Sequence, residues 1–277
     1  MAILPLRRLS DAPSEPLKRS FLEEVESTLE SQADRNDVCR RLLASMLYPE
    51  FADSWETAVE DPRLPAPTRL ALLSLDPRHI TLEPEYYAEC DQEAFARTKP
   101  LLWLWYSFDR TTLGGQNVDL AIRFRRLLAQ RIFRKCGENF KAFQNVEFSF
   151  GYNMEVGDGV VVHRNVLLDD RGGIVLGNRV SISDYANIYS HTHSIVDQRD
   201  VTDAVTRLDD DVRITYHATV LAGVHVGENG MVGAGAIATK DVCAYHVHVG
   251  IPAKSIRIKP NAPPESFNLT TVKSPKQ

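Results

Sequence analysis

Two hydrophobic rhythms divide the chain near residue 145. Before that point apolar residues recur at helical spacing, as in Phe21, Val25 and Leu29. The stretch 117–133 has an apolar stripe beside an arginine-rich face, and the proline-containing stretch 61–67 interrupts the pattern. The first half is therefore predicted to be α-helical, with a loop at 61–67. The basic face of the last helix is expected to be solvated.

After residue 145 the apolar period is six residues, which suits neither a helix nor an ordinary strand. A large residue recurs at every sixth position, with a shift at Gly172-Gly173 and a longer break after Ile188. In most units a compact residue follows four positions later. The large residues, which we call the ladder, are Phe150, Val156, Val162, Leu168, Leu176, Ile182, Ile188, Leu208, Ile214, Val220, Val226, Val232 and Ala238.

Each six-residue unit has the pattern of a short strand followed by a tight turn. Three units close one triangular coil, and successive coils stack at the spacing of neighbouring strands, about 4.8 Å. Because no unit buries its apolar face alone, the coils must stack on one another. The sequence thus predicts a mainly β protein, a parallel β-helix at 141–258, after a helical region at 1–140. A flexible tail is expected at 259–277.

Composition and charge narrow the classes of function. The chain is 43% hydrophobic and 25% charged, as in ordinary globular proteins, and its net charge is -5. A general binder of nucleic acid or of anionic membranes would need a cationic surface instead. The four cysteines are scattered without a CxxC pair, and no apolar run reaches the length of a membrane span. We therefore expect reduced thiols, a cytoplasmic location and no membrane span.

Several stretches of the repeat region form a combination that is more specific than any single hexapeptide. They are FSFGYNMEVG at 148–157, NVLLDD at 165–170, LGNRV at 176–180, IYSHTH at 188–193, VGAGAIATKDV at 232–242 and GIPAK at 250–254. Together they resemble the hexapeptide-repeat acyltransferases of the maltose and galactoside O-acetyltransferase type, over about residues 135–258. The resemblance implies a left-handed β-helix and a homotrimer with active sites between subunits. It also implies transfer of an acetyl group from acetyl-CoA to a small hydroxyl-bearing acceptor, with a sugar as the expected class.

Three histidines are candidates for the chemistry. Acetyl transfer needs a base for the alcohol proton and a donor for the thioester oxyanion. His193 corresponds to the catalytic histidine of the family and follows the break in the ladder, and His191 is its rival two residues earlier. His163 stands where the family has an asparagine that supports the transition state. A histidine can also donate a hydrogen bond there, but a different acceptor or a lost activity is equally open.

Further contacts are implied by the same resemblance. Ser149, Asn165 and Asp170 match acceptor-binding positions, although Ser149 and Asp170 could instead stabilise turns. The longer helical region leaves acceptor identity open, because the N-terminal segment of the family helps to wall the acceptor site. The residues expected to bind acetyl-CoA are Tyr216, Ala234, Thr239, Lys240, Lys254 and Arg257, the last two through the nucleotide phosphates.

Two other functions compete with the enzyme. Some solenoids of this kind are non-catalytic assembly subunits, and the His163 substitution and the helical extension favour that slightly. Others are carbonic anhydrases with zinc bound by histidines, for which His163, His191, His193 and His217 would be the candidates. The His-x4-His pair of those enzymes is missing from this sequence, so no metal is expected. The Thr239-Lys240 pair and the GIPAK motif favour an acetyltransferase over a scaffold.

Overall fold

A computed structural model describes residues 14–31 and 33–268 of the chain. Six α-helices occupy its first half, and short 3-10 turns lie at Pro49–Phe51, Pro77–His79, Glu83–Tyr86 and Pro264–Asn268. Residues 269–277 of the expected tail lie outside the described residues. The helices are α1 (Glu15–Glu30), α2 (Arg35–Leu47), α3 (Trp55–Glu60), α4 (Ala66–Leu73), α5 (Gln92–Phe108) and α6 (Val118–Ile132).

Local signals explain where the main helices begin. The carboxylate of Asp34 accepts hydrogen bonds from the backbone N–H groups of Asn36 and Asp37 and so caps α2. Asp91 caps α5 in the same way, through the N–H of Ala94. The helical patterns predicted around Phe21–Leu29 and at 117–133 form α1 and α6.

The basic face of α6 is not solvated, and that expectation was wrong. Arg123 pairs with Glu15 of α1 at 2.9 Å, and Arg131 approaches Glu30 at the other end of the same helix. Arg126 donates to the carbonyl of Phe140, which is already part of the solenoid. These cations therefore join α6 to α1 and to the first coil, because both neighbours offer carboxylates or free carbonyls to them.

The solenoid has three faces, which we number in the order in which the chain meets them. Face one contains β1 (Lys135–Cys136), β4 (Met154–Val156), β7 (Ile174–Leu176), β12 (Thr206–Leu208) and β15 (His225–Val226). Face two contains β2 (Lys141–Ala142), β5 (Val161–Val162), β8 (Ser181–Ile182), β13 (Arg213–Ile214), β16 (Met231–Val232), β18 (His246–Val249) and β19 (Lys254–Ile258). Face three contains β3 (Val146–Phe148), β6 (Val166–Asp169), β9 (Asn187–Tyr189), β14 (Thr219–Val220) and β17 (Ile237–Ala238).

Strands within a face are parallel, except that β18 and β19 form an antiparallel pair at the C-terminal end. A separate antiparallel pair, β10 (His191–His193) with β11 (Val201–Asp203), projects from the coils. The left-handed parallel β-helix predicted from the sequence is confirmed. The described part of the chain contains no helix that is long and apolar enough to cross a membrane.

The ladder residues form the inner column of the solenoid. On face two, Ile182 lies beside Val162 on one side and Ile214 on the other, and Ile214 pairs in turn with Val232. All thirteen ladder residues are at most 2% exposed. The compact residues four positions later, such as Ala186 and Ala218, are also buried. The six-residue period therefore arises because large residues of the inner column alternate with compact residues at the corners.

One ladder residue was misplaced. Phe148, not Phe150, pairs with Leu168 of the next coil. Phe150 lies two residues beyond, in the corner, where its ring stacks on Tyr152 at 5.1 Å and meets Phe95 of α5 edge-on. The first coil thus contains two residues more than the six-residue period predicts. The apolar pattern did not reveal them, because a phenylalanine is buried both in the inner column and in the corner.

All the extra length of the coils enters at one corner. Along face one, the residue numbers of successive partners rise by 20 from Glu155 to Val175, by 32 from Val175 to Arg207 and by 18 from Arg207 to His225. We call the corner between faces three and one, residues 149–153, 170–173 and 190–205, the long corner. In its third passage the backbone N–H of Ala204 donates to the carbonyl of Ser190 at 2.8 Å and closes the neck of the excursion.

The helical region and the solenoid share one hydrophobic core. The indole N–H of Trp105 in α5 donates to the carbonyl of Val146 in β3 at 3.0 Å. Tyr106 of the same helix donates its hydroxyl proton to the carbonyl of Phe148 and accepts from the N–H of that residue. Helix α5 is therefore anchored along face three, next to the long corner.

Candidate active site

Three consecutive passages of the long corner bring polar side chains together. Asp169, at the end of β6, accepts a hydrogen bond from the hydroxyl of Ser149 in the coil before it, at 2.6 Å. The other oxygen of Asp169 contacts Nδ1 of His191 in the coil after it. Asp169 is 3% exposed, so this carboxylate depends on its two partners for the hydrogen bonds that water would otherwise supply.

Arg171 connects this group to the helical region. Its Nη1 lies 3.1 Å from Nε2 of His191, and its guanidinium forms an ion pair with Glu89 in the segment before α5. The ring of Tyr87 stacks against the guanidinium at 4.1 Å. Burial, together with a hydrogen bond to Glu83, raises the pKa of Tyr87 to about 12, so its phenol stays protonated at neutral pH.

His193 lies on the same strand as His191 but has a different environment. Its Nδ1 lies 2.6 Å from the carbonyl oxygen of Gln198, and the side chain is exposed. The rings of His191 and His193 meet nearly at right angles, with their centroids 5.2 Å apart. No hydrogen bond is recorded for Nε2 of His193 within the described residues.

The hydrogen-bond partners fix the tautomers of both rings. A carbonyl only accepts, so Nδ1 of His193 carries the proton and its Nε2 is left with a lone pair. An arginine only donates, so Nε2 of His191 must accept and its Nδ1 proton points to Asp169. Both nitrogens of His191 are thus engaged, whereas His193 presents an available base.

A cavity of about 500 Å³ opens beside these residues, between the helical region and face three. Asp169, His191 and Ser149 form one end of it. Aromatic and apolar side chains from both parts of the molecule form its walls, with carboxylates among them. The wall residues include Tyr87, Trp103, Tyr106, Phe148, Tyr189 and Glu147.

Asp170 and Asn165 do not line that cavity. Asp170 is fully buried, and its carboxylate accepts from the backbone N–H groups of Phe150 and Asn153. Burial raises its pKa to about 6, although the backbone donors partly offset the effect. Asn165 adopts a positive φ of 55°, and its side-chain oxygen accepts from Asn145 of the coil before it. Both residues stabilise corners in the isolated chain.

His163 lies at a different corner of the triangle. We call the corner between faces two and three, residues 143–145, 163–165, 183–186, 215–218 and 233–236, the second corner. The ring of His163 stacks on Phe143 at 4.9 Å, and below it Tyr185 stacks on His217 at 4.8 Å. Within one chain, therefore, His163 does not meet the histidines of the long corner.

The residues expected to bind acetyl-CoA lie in the C-terminal coils and are exposed. Tyr216 and Ala234 belong to the second corner, and Thr239 and Lys240 follow β17. Lys254 and Arg257 belong to β19 and extend from the end of face two. These six residues thus belong to the second corner, to the segment after β17 and to β19.

The four candidate zinc ligands are divided between corners as well. His163 and His217 lie on the second corner, and His191 and His193 on the long corner. Among residues 14–31 and 33–268, no group of three or more histidine, cysteine or acidic side chains is arranged to hold a metal ion.

The long-range contacts of the site were not predicted from the sequence. Asp169, Arg171, Tyr87 and Glu89 were overlooked, although the Asp169-Asp170 pair was visible. Strand alternation could have directed attention to Asp169, because Asp170 continues into the corner. Nothing in the local sequence indicates that Glu89 reaches Arg171.

Known proteins share this architecture, although no family model matches the chain. The galactoside O-acetyltransferase of Escherichia coli (strain K12) is 28% identical over 137 residues, which are 48% of this chain and 68% of that protein. A galactoside acetyltransferase solved in complex with coenzyme A superposes with a TM-score of 0.54 at 25% identity, over 62% of this chain and 85% of its own. A maltose O-acetyltransferase from Clostridium difficile 630 gives a TM-score of 0.54 at 24% identity, over 63% and 91%.

The fold and the corner site define a left-handed parallel β-helix protein with two histidines beside an interdomain cavity. In sequence and in fold the chain is similar to the hexapeptide-repeat acetyltransferases of the galactoside and maltose O-acetyltransferase type.

Proposed function

We propose that this protein transfers the acetyl group of acetyl-CoA to a hydroxyl group of a small acceptor, with a sugar as the expected class and His193 as general base. The observation that carries the proposal is the fixed tautomer of His193, whose Nδ1–H is held by the Gln198 carbonyl while Nε2 is available. An imidazole in this tautomer presents the Nε2 lone pair that a general base needs.

The reaction would proceed by direct transfer. Nε2 of His193 removes the hydroxyl proton as the acceptor oxygen bonds to the thioester carbon. The tetrahedral intermediate then collapses, its carbon–sulfur bond breaks, and the thiolate of CoA receives the proton from His193. The oxyanion formed meanwhile needs a hydrogen-bond donor, and we assign that role to the ring of His163.

His191 is less suited to be the base. Its Nε2 accepts from Arg171 and its Nδ1 contacts Asp169, so neither nitrogen is available without breaking a contact. We therefore assign it to the acceptor site, where it closes the end of the 500 Å³ cavity. Ser149 and Asp169 would bind acceptor hydroxyl groups there, since a carboxylate and a hydroxyl suit a polyol.

The assembly proposed is a homotrimer in which the second corner of one chain faces the long corner of the next. Two observations support it. First, His163 and His193 lie at different corners of one chain. Second, Ile195 and Val196, in the turn between β10 and β11, are almost completely exposed. Apolar side chains at such a tip gain from burial against a neighbour.

Acetyl-CoA would lie along the same interface. Thr239 and Lys240, Tyr216 and the Ala234 backbone would contact the pantetheine part, and Lys254 and Arg257 would pair with the nucleotide phosphates. A cytoplasmic location belongs to this proposal, and the four free cysteines are compatible with a reducing compartment.

Isothermal titration of the purified protein with acetyl-CoA, followed by a thiol-release assay across sugar and non-sugar acceptors, tests this function. We expect binding, and release of CoA only with a hydroxyl-bearing acceptor. No heat of binding at millimolar acetyl-CoA would refute the proposal and favour a non-catalytic scaffold.

A further inference from the structure

Arg171 is clamped between the two halves of the molecule. Its side chain is 6% exposed, and three groups surround its guanidinium. Glu89 forms an ion pair with it, Tyr87 stacks on it, and Nε2 of His191 accepts from it. The first two partners belong to the helical region, whereas Arg171 and His191 belong to successive coils of the long corner.

This contact decides which protonation state of His191 is compatible with the structure. An imidazolium would carry a proton on Nε2, directly opposite the guanidinium N–H of Arg171. Two donors and two positive charges would then face each other at 3.1 Å, which is repulsive in a partly buried site. The hydrogen bonds of His191 therefore fit a neutral ring with its proton on Nδ1, directed at Asp169.

The charged groups around His191 are few and come from three elements. Asp169 contacts it from β6, Arg171 from the corner that follows, and Asp203 lies opposite it on β11. The pKa of Asp203 is raised by burial and by the charge of Glu89. His193 completes the set, with its ring packed edge-on against that of His191.

We propose that Arg171, held by Glu89 and Tyr87, is a positioning residue for acetyl transfer. It keeps His191 neutral and fixed, so that His193 is the only histidine of the long corner that exchanges a proton during turnover. This inference rests on the function proposed above. In this proposal the helical region contributes to acetyl transfer through the carboxylate of Glu89 and the ring of Tyr87, which hold Arg171 in place.

The kinetic experiment compares Arg171→Gln, Arg171→Lys and Glu89→Gln with the wild type. Arg171→Gln should lower kcat at least tenfold while KM for acetyl-CoA stays within twofold. Arg171→Lys keeps the positive charge together with N–H donors and should recover part of the loss. In Arg171→Gln the acid limb of the kcat–pH profile should also steepen, because His191 can then take up a second proton.

Glu93→Gln is the matched control. Glu93 lies four residues after Glu89 and pairs with Arg97, but both side chains are exposed. This variant should leave kcat and its pH profile unchanged. A loss of kcat equal to that in Glu89→Gln would mean that any charge removed from this segment acts in the same way, and would overturn the proposal.

A second measurement is independent of turnover. Imidazole nitrogen NMR, with the His191 signals assigned by their loss in His191→Asn, should show the Nδ1–H tautomer in the wild type and a titrating ring in Arg171→Gln. A wild-type His191 that titrates freely would refute this inference while leaving the function of His193 untouched. Conversely, a protein without acetyl-CoA binding refutes the proposed function, and the NMR result still decides what Arg171 does to His191.

Discussion

The carboxylate of Asp109 lies 2.6 Å from the guanidinium of Arg125, and both side chains are almost completely buried where α5, α6 and the first coil meet. Arg125 also donates to the carbonyls of Ala142 and Gly114. The second oxygen of Asp109 accepts from the N–H of Asn145, at the first passage of the second corner. One ion pair thus joins the helical region to the start of the solenoid.

Removing one partner of this pair should destabilise the protein. Asp109→Ala leaves a buried guanidinium without its counter-ion, and we expect a loss of about 3–5 kcal/mol in the free energy of unfolding. Glu93→Ala removes an exposed carboxylate that also pairs with an arginine, and should cost less than about 1 kcal/mol. Urea unfolding measures both, and equal losses would contradict the proposed linkage.

His193 and His191 should respond differently to substitution. His193→Ala removes the base and should lower kcat by roughly 10² to 10⁴-fold. His191→Ala should raise KM for the acceptor and lower kcat about as much as Arg171→Gln does. Acetyl-CoA affinity and a native mass three times that of the 31.1 kDa chain should persist in both, by titration and analytical ultracentrifugation. Activity retained by His193→Ala and lost by His191→Ala would exchange the two roles.

The oxyanion role of His163 depends on a donor, not on a base. His163→Asn restores the amide donor of the family and should keep kcat/KM within a few-fold of the wild type. His163→Ala removes the donor and should lower kcat by about 10² to 10³-fold. If the asparagine variant is as inactive as the alanine variant, the ring of His163 has another function, such as packing on Phe143.

Lys254 and Arg257 should recognise the phosphates of acetyl-CoA and not its thioester. Lys254→Ala is therefore expected to raise KM for acetyl-CoA about tenfold, as for the loss of one charged hydrogen bond, and to leave KM for acetyl-pantetheine unchanged. Lys135→Ala, at the opposite end of the solenoid, is the control. A similar increase in KM for both thioesters in Lys254→Ala would show that this side chain does not contact the phosphates.

Asp170 should make stability depend on pH. Its pKa rises from 3.8 in the unfolded chain to about 6 in the folded protein, because burial penalises the carboxylate. The stability from its protonated form is therefore fully present below about pH 4 and is lost as the pH rises through 6, an effect of about 3 kcal/mol. Asp170→Asn cannot titrate. The free energy of unfolding of this variant, measured in urea relative to the wild type, should therefore increase by that amount between pH 4 and pH 7.5. A difference that stays constant with pH would contradict a raised pKa of Asp170.

The solenoid could be predicted from the sequence because its core repeats. Each inward position is large, each corner position is compact, and successive inward positions along the chain are six residues apart in most units, whatever their identity. The error at Phe150 arose because an aromatic residue suits both the column and the contact with Phe95. The predicted helices likewise had clear apolar stripes.

The site was harder to predict because its contacts link distant parts of the chain. His191 and His193 were recognised by their position after Ile188, but nothing in the local sequence indicates that Arg171 forms a hydrogen bond with His191. The basic face of α6 was misjudged for the same reason, since its partner Glu15 lies more than 100 positions away. Charge patterns reveal which face is basic but not which carboxylate meets it.

The hydrogen bond between Ala204 and Ser190 closes the neck of the excursion, so the residues beyond it can be replaced without disturbing the coils. Directly after it, Thr206 rejoins the coil beside Ile174, and its hydroxyl donates to the carbonyl of Tyr189. The strand pairing of the coils therefore fixes where the excursion begins and ends, but does not depend on how many residues it contains. Segments between 191 and 203 could be exchanged with those of other solenoids to change acceptor choice, provided that a histidine is kept at position 193, while the stack of coils beneath keeps its register.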